Sequence, residues 1–164
     1  LLYWAGLRIG ELLALSPDDF DFQASTLRIT RSYQRLNRRD VITGPKTENS
    51  IRTISLPEFL RDEVRDYLFD PPRFDHDERI FASLSKTSIT ASLREGAQAC
   101  GNKIIRVHDL RHSHVSLLID MGFSAVAIAE RMGHDSTDIT LKYAHLFPST
   151  QKKMGDALDD FKEE

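Results

Sequence analysis

Two arginines lie in surroundings where a charged side chain requires an explanation. Arg8 falls within the apolar residues 4–12, and Arg111 falls within residues 107–114 among three histidines. An arginine guanidinium is planar, stays protonated at neutral pH, and donates paired hydrogen bonds to phosphate oxygens. A charge among apolar neighbours is either paired or functional, and Glu11, one helical turn after Arg8, is the obvious partner for an ion pair. An anion site and a simple salt bridge are therefore the two interpretations of Arg8.

The pattern His-x-x-Arg occurs twice, and only its context separates the two copies. With 6 histidines in 164 residues, a pattern this short arises by chance. The copy at residues 76–79 (HDER) lies in an acidic loop without apolar neighbours and is set aside. The copy at residues 108–111 (HDLR) begins a predicted helix, on which residues three apart share a face. His108 and Arg111 are therefore candidate site residues.

Tyr143, His134 and Lys46 are ambiguous when each is taken alone. A lone tyrosine is usually a packing residue, a histidine after a glycine is usually a polar helix end, and a lysine in a polar turn is usually solvated. Only their order along the chain and their joint arrangement carry information.

Four segments, in this order, resemble the tyrosine recombinase (phage integrase) family, and the match covers residues 2–148. The segments are residues 5–12 (AGLRIGEL), like the family's Gly-Leu-Arg-x-x-Glu-Leu box; residues 44–47 (GPKT) ahead of residues 52–57 (RTISLP), like its β-hairpin lysine; residues 108–113 (HDLRHS); and residues 132–136 (MGHDS), followed by residues 143–146 (YAHL). Each segment is weak alone. Four of them in the expected order form a strong signal.

The resemblance implies that Tyr143 is a nucleophile that cuts and rejoins DNA through a 3′-phosphotyrosyl link. A phenol with a pKa near ~10 is a poor nucleophile at neutral pH until a neighbour removes its proton. The resemblance makes His108 that acceptor. Because one phosphoester replaces another, the reaction needs no ATP, metal or other cofactor.

The resemblance also assigns the remaining roles in the site. Arg8 and Arg111 would clamp the scissile phosphate, and His134 would donate a further hydrogen bond. Lys46 would protonate the departing 5′ oxygen from its hairpin. Three neighbours are expected to support these residues or to pack beside them: Glu11, Asp109 and His112.

Three alternative functions remain open from the sequence. A type IB topoisomerase shares the arginine, lysine, histidine and tyrosine chemistry, and strand exchange between two sites would distinguish the recombinase from it. A metal enzyme could use His108, His112 and His114, although Arg111 would then place a cation beside the metal. A DNA-binding accessory protein without catalysis is the third alternative, and the presence of all the expected catalytic residue types argues against it.

The charges are segregated along the chain, although the net charge is −3. Residues 25–56 contain seven basic and two acidic residues, and residues 81–112 contain five and two. Residues 57–80 contain four basic and eight acidic residues. This distribution predicts a basic face for double-stranded DNA, with solvated surface charge as the alternative.

The expected partners are double-stranded DNA and other recombinase protomers, and no membrane partner is expected. No apolar run approaches the roughly 20 residues that cross a bilayer. The single Cys100 excludes an internal disulfide and suits a reducing compartment, so a cytoplasmic, DNA-associated protein of bacterial or phage origin is expected. Cys100 itself is predicted to be a small buried residue at a helix end.

The predicted fold class is α+β, mainly α-helical with a small three-stranded antiparallel sheet. Apolar periodicity predicts a helix over residues 1–15, and β-branched runs predict strands at residues 26–33, 41–43 and 51–56. Further helices are predicted at residues 57–69, from a cap at Thr87 or Ser88, over residues 108–121, and from Ser124 to Gly133. Another helix, capped by Ser136 or Thr137, would carry Tyr143.

The predicted organisation is one catalytic domain at residues 1–148 followed by a tail at residues 149–164. The family resemblance leads us to expect an N-terminal truncation that removes the domain's first elements. In the tail, an apolar stripe of Met154, Ala157, Leu158 and Phe161 predicts a short helix. Such a helix needs a partner surface, and the resemblance suggests exchange between protomers, with packing in cis as the alternative.

Overall fold

The computed structural model of the chain describes residues 1–44, 50–69 and 78–134, together with Tyr143 and Leu158. These residues form five α-helices and five strands: α1 Ile9–Leu12, β1 Phe20–Asp21, β2 Thr26–Ile29, β3 Ser32–Leu36, β4 Arg39–Thr43, β5 Arg52–Ser55, α2 Glu58–Phe69, α3 Lys86–Ala99, α4 Val107–Asp120 and α5 Ala125–Met132. The predicted α+β class is confirmed. In this described part of the chain, no helix has both the length and the apolar character that a bilayer crossing requires.

The three-stranded antiparallel sheet has the order β1-β2-β5. Leu27 on β2 lies opposite Ile54 on β5, and both side chains are buried. Alternation along β5 turns Arg52 and Ile54 inward and leaves Thr53 and Ser55 exposed. The sheet therefore directs one arginine, Arg52, into the protein interior.

The strand predicted over residues 26–33 is wrong as a single element. It divides into β2 and β3, and β3 pairs with β4 in a separate two-stranded sheet. At the break, Arg31 donates hydrogen bonds to the Ser16 hydroxyl and to the Asp19 carboxylate. The hairpin turns at Asn37 and Arg38, both with positive φ, the geometry that matches the twist of paired strands.

The helix predicted over residues 1–15 is also too long, because only Ile9–Leu12 is α-helical. Gly6 has a φ of +64°, which a right-handed helix does not accommodate. A Cβ atom at Gly6 would lie 2.6 Å from His114 Cδ2 and 3.0 Å from Met132 Sδ. The apolar residues before Arg8 therefore reflect core packing of an irregular segment, which brings the Gly6 backbone against α4 and α5.

Two groups of buried side chains support this arrangement. The main core packs the residues around α1 against the three-stranded sheet and α2, with members that include Leu7, Leu15, Leu27, Ile54, Leu60 and Leu68. A second cluster joins α4 to α5 through Val115, Ile119, Ile128 and Met132, and the Tyr143 ring packs against it. The irregular segment at Gly6 connects the two groups.

Most helix ends in the second half of the chain agree with the predictions. The Ser124 side chain accepts a hydrogen bond from Ala127 N and caps α5, and Gly133 ends α5 with a φ of +63°. The predicted cap of α3 is wrong by two or three residues, because Ser85 accepts from Ser88 N. Cys100 lies at the end of α3 as predicted, but it is exposed rather than buried.

We expect Gly6→Ala to lower the free energy of unfolding by about 2–4 kcal/mol, combining left-handed backbone strain with overpacking against His114. Gly122→Ala is the matched control, because its φ is +86° but a Cβ atom there meets nothing within 4 Å. The control should lose only the strain contribution, about 1–2 kcal/mol. Urea denaturation of both variants measures the difference, and equal losses would show that the close approach at Gly6 is unimportant.

Candidate active site

Arg8 occupies the position immediately before α1, in an extended conformation. The Glu11 carboxylate accepts a hydrogen bond from the Arg8 backbone N–H at 2.8 Å and another from Arg8 Nη1 at 2.8 Å. This reciprocal contact caps the short helix and fixes the arginine. The predicted ion pair between Arg8 and Glu11 is confirmed. The ion pair fixes the orientation of the guanidinium without burying it, since the Arg8 side chain is 38% exposed.

Glu11 is buried, and it holds a second arginine that the sequence did not assign to the site. Arg52 Nη1 and Nη2 donate to the two carboxylate oxygens of Glu11 at 3.0 and 2.9 Å. Burial by itself would raise the pKa of Glu11, but the hydrogen bonds and charge of Arg52, followed by the contacts with Arg8, lower that pKa to about 2. The carboxylate is therefore ionised throughout the neutral range.

Arg111 extends from α4 into the interior, where two backbone carbonyls accept its hydrogen bonds. Nη1 donates to Gly6 O at 2.5 Å and Nη2 donates to Met132 O at 2.6 Å. Burial, followed by the nearby charge of Arg8, lowers the pKa of Arg111 to about 9, which leaves the guanidinium protonated at neutral pH. Arg8 Nη2 donates to the next carbonyl, Gly133 O, at 3.2 Å. The two predicted clamp residues therefore meet at the C-terminal end of α5.

The cluster carries more positive than negative charge. Arg8, Arg52 and Arg111 contribute three cations, and Glu11 supplies one carboxylate to balance them. Two positive charges remain within a mostly buried setting, where their mutual repulsion is weakly screened. An anion beside Arg8 would relieve this repulsion, and Arg8 is the member of the cluster that solvent reaches. The arrangement is suited to binding a phosphate.

Tyr143 lies against α4, and its hydroxyl is hydrogen-bonded to His112 Nδ1. The predicted proton acceptor, His108, packs its ring against the His112 ring, with centroids 4.6 Å apart and planes at 84°. Burial raises the pKa of Tyr143, with the Arg111 charge partly opposing the shift. Burial also lowers the pKa of His108, and the charges of His112 and Arg111 add to that effect. The phenol thus stays protonated at neutral pH beside two imidazoles.

His134 directly follows Gly133, the residue whose carbonyl contacts Arg8. Its backbone N–H donates to Ala129 O at 3.0 Å, and its side chain is half-buried. The left-handed end of α5 therefore places the residue before His134 in contact with Arg8. Lys46 lies within residues 45–49, outside the described residues.

The three histidines of α4 do not converge in the way that a metal site requires. His114 is buried, and its Nε2 accepts a hydrogen bond from Arg131 Nε at 3.2 Å. Burial, then the Arg131 charge, lowers the pKa of His114 to about 4, so its imidazole is neutral. Over residues 1–44, 50–69 and 78–134 with Tyr143 and Leu158, no group of three or more His, Cys, Asp or Glu residues is placed to hold a metal ion.

Arg52 was not identified as a site residue from the sequence, and His112 was assigned only a supporting role. A signal for Arg52 was available, since strand alternation places it on the same face as Ile54, which favours burial. A buried arginine requires a carboxylate or carbonyl partner. No local pattern identified Glu11 as that partner, because the two residues lie 41 positions apart.

Comparison with known proteins agrees with this geometry. The profile of the phage integrase family matches residues 1–150. The ICEBs1 integrase of Bacillus subtilis (strain 168) is 37% identical over 171 residues, which cover 96% of this chain and 46% of that protein. A XerC-like tyrosine recombinase of Caldanaerobacter subterraneus is 26% identical and covers 98% of this chain and 48% of its own length. The chain thus spans less than half the length of these two curated relatives.

Solved structures show the same fold at low sequence identity. The Tn1549 transposon integrase in complex with circular intermediate DNA aligns with a TM-score of 0.76 at 19% identity, covering 98% of this chain and 57% of that one. The XerA recombinase aligns with a TM-score of 0.69 at 22% identity, covering 93% and 53%. With the profile match over nearly its whole length and a relative at 37% identity, the chain belongs to the phage integrase family.

Proposed function

We propose that this chain is the catalytic domain of a site-specific DNA recombinase, which cleaves and rejoins DNA strands through a 3′-phosphotyrosyl intermediate. The observation that carries the proposal is the Tyr143 hydroxyl, hydrogen-bonded to an imidazole of α4, beside arginines with excess positive charge. Membership of the phage integrase family supports it, as do relatives named integrase and tyrosine recombinase. Residues 1–148 form the catalytic unit in this proposal.

The proposed reaction is an in-line phosphoryl transfer. The Tyr143 oxygen forms a bond to phosphorus while the bond from phosphorus to the 5′ oxygen breaks. The phenol proton passes to the histidine pair, with His112 in direct contact and His108 beside it. Arg8 and Arg111 stabilise the charge on the phosphoryl oxygens, and His134 donates a further hydrogen bond.

The leaving oxygen takes a proton from Lys46, so that a free 5′-hydroxyl remains. Religation reverses these steps when a 5′-hydroxyl attacks the phosphotyrosine. One phosphoester replaces another in each direction, and arginines carry the phosphate charge, so the proposed reaction uses no ATP, metal or other cofactor.

The proposed partner is double-stranded DNA, and the proposed place of action is the bacterial cytoplasm. The β3–β4 hairpin lies within the basic residues 25–56 and presents exposed arginines at positions 35, 38 and 39. Exposed basic side chains attract a nucleic-acid backbone. The structural neighbour in complex with DNA supports the same partner.

We further propose that the tail, residues 149–164, docks on a neighbouring protomer of the assembly on DNA. Apart from Leu158, the tail and its apolar stripe lie outside the described residues. Leu158 is helical, and its side chain is 70% exposed. Burial of this exposed apolar side chain against a second surface would be favourable, which supports the proposal.

Tyr143→Phe should reduce the covalent DNA adduct to background while changing the DNA dissociation constant by less than about twofold, because only the nucleophilic oxygen is lost. The measurement is adduct trapping on a nicked substrate that releases its 5′ fragment, with DNA binding measured in parallel. Tyr67→Phe on α2 is the control and should form the adduct normally. A normal adduct yield from Tyr143→Phe would refute the proposed nucleophile.

Lys46→Ala should slow cleavage of ordinary DNA by about 100-fold, the typical contribution of a general acid. A 5′-bridging phosphorothiolate should restore most of the rate, because a thiolate leaves without needing a proton. Lys86→Ala at the start of α3 is the control, because any loss of DNA contact there would change the cleavage of both substrates alike and the phosphorothiolate would give no rescue. Failure of the phosphorothiolate to rescue Lys46→Ala would make Lys46 a phosphate contact rather than the proton donor.

Deletion of residues 150–164 should leave binding to a single DNA site unchanged and should weaken cooperative assembly on paired sites. Single-site and paired-site binding curves measure the two effects, and thermal unfolding of the monomer serves as the control. Intact assembly together with a lower unfolding temperature would instead place the tail in the core of its own protomer.

A further inference from the structure

Arg52 is a buried cation of the site. Its side chain is 5% exposed, against 38% for Arg8. Besides the two hydrogen bonds to Glu11, Nε donates to Arg131 O at 2.8 Å and Nη1 donates to Ser50 O at 3.3 Å. All three guanidinium nitrogens of Arg52 donate hydrogen bonds within the protein, so Arg52 is not placed to bind a ligand itself.

The Glu11 carboxylate is shared between the two arginines. Its Oε1 accepts from Arg8 Nη1 and Arg52 Nη1, and its Oε2 accepts from the Arg8 backbone N–H and Arg52 Nη2. Arg52 therefore makes a paired, buried contact with both oxygens, whereas the Arg8 guanidinium makes a single contact with one of them. A paired contact between buried groups is the stronger interaction.

From this asymmetry we propose that Arg52 is a positioning residue that serves as the counter-ion of Glu11 and so leaves the positive charge of Arg8 available for the scissile phosphate. The inference rests on the proposed recombinase function. Without Arg52, Arg8 and Glu11 would form a neutral pair. With Arg52, the three groups together carry one positive charge, and it lies on the exposed arginine.

Loss of Arg52 would also redirect Arg8. A buried carboxylate with a single cationic neighbour draws that neighbour into a paired contact, because an uncompensated charge in the interior is strongly unfavourable. Arg8 would then turn both guanidinium nitrogens toward Glu11 and lose its hydrogen bond to Gly133 O. A displacement of this kind near the reacting phosphate slows the chemical step.

A purely structural role for Arg52 is the competing explanation. Its hydrogen bond to Arg131 O joins β5 to α5, and its contact with Glu11 joins β5 to α1. Such a clamp would matter whatever the charge of Glu11. The two explanations therefore differ in the effect of neutralising Glu11 when Arg52 is absent.

The test compares Arg52→Met, the double variant Glu11→Gln with Arg52→Met, and Arg52→Lys. Arg65→Met is the matched control, since Arg65 is an exposed arginine of α2 that pairs with Asp62 and lies outside both basic segments of the chain. Each full-length variant is assayed for the single-turnover rate of Tyr143 adduct formation at saturating DNA, for DNA affinity and for thermal unfolding.

Arg52→Met should reduce the adduct rate by about 100-fold with little change in DNA affinity, because a misplaced phosphate contact acts on the chemical step. Adding Glu11→Gln should recover about tenfold of that loss, since Arg8 no longer faces an ionised carboxylate. Arg65→Met should match the wild type. A double variant as slow as Arg52→Met, or slower, would overturn the inference in favour of the clamp.

The pH dependence supplies a second readout that a clamp would not change. Arg52 lowers the pKa of Glu11, so removing Arg52 raises that pKa, and Glu11 protonates as the pH falls. The adduct rate of Arg52→Met, divided by that of the wild type, should therefore rise as the pH falls toward the raised pKa of Glu11. A ratio that is independent of pH would count against the counter-ion role.

Arg52→Lys keeps the experiment decisive if Arg52→Met does not fold. The lysine retains the charge without the paired contact, so its adduct rate should stay within about tenfold of the wild type. A folded Arg52→Lys protein that forms almost no adduct would refute the inference. Failure of the wild type to form any adduct would instead refute the proposed function, and the inference would fail with it.

Discussion

The buried carboxylate of Glu11 is the constraint on which the rest of the site depends. An ionised carboxylate inside a protein requires hydrogen bonds and opposite charge to offset its lost hydration. Arg8 and Arg52 provide both, and they come from different elements, the start of α1 and strand β5. The requirement of one buried group therefore sets the positions of two arginines and, through the contact from Arg52 to Arg131 O, of the end of α5.

Helix α4 carries the other polar side chains of the site, and its helical spacing points them in different directions. Arg111 points inward to the carbonyls of Gly6 and Met132, and His112 contacts Tyr143. His114 is buried against Arg131 and the Gly6 backbone. One helix thus supplies a buried cation, an imidazole in contact with Tyr143 and a packing residue. The result is a site with local positive charge in a chain whose net charge is −3.

Much of the fold was predictable because it is encoded in local patterns. Helices α4 and α5 follow from amphipathic periodicity, a serine cap and glycine ends, and the structure confirms them to within a residue. The predictions were wrong in two segments, where an apolar or β-branched run fitted more than one backbone conformation. The apolar residues 1–8 are irregular because Gly6 requires a left-handed backbone, and residues 26–33 divide where Arg31 bonds to Asp19. Hydrophobic periodicity indicates which side chains are buried, but it does not indicate which backbone conformation the segment adopts.

The sequence by itself determined the family, the order of the chemical groups and the pairing of Arg8 with Glu11, because each can be identified from short segments of the chain without knowing how those segments pack. Only the tertiary structure decided that Arg52 shares Glu11, that Arg111 binds the Gly6 carbonyl, and that His112 meets Tyr143. These contacts join residues 41, 105 and 31 positions apart. They form because a buried charge or hydroxyl needs a hydrogen-bond partner. The packing of whole helices and strands determines which partner lies within reach.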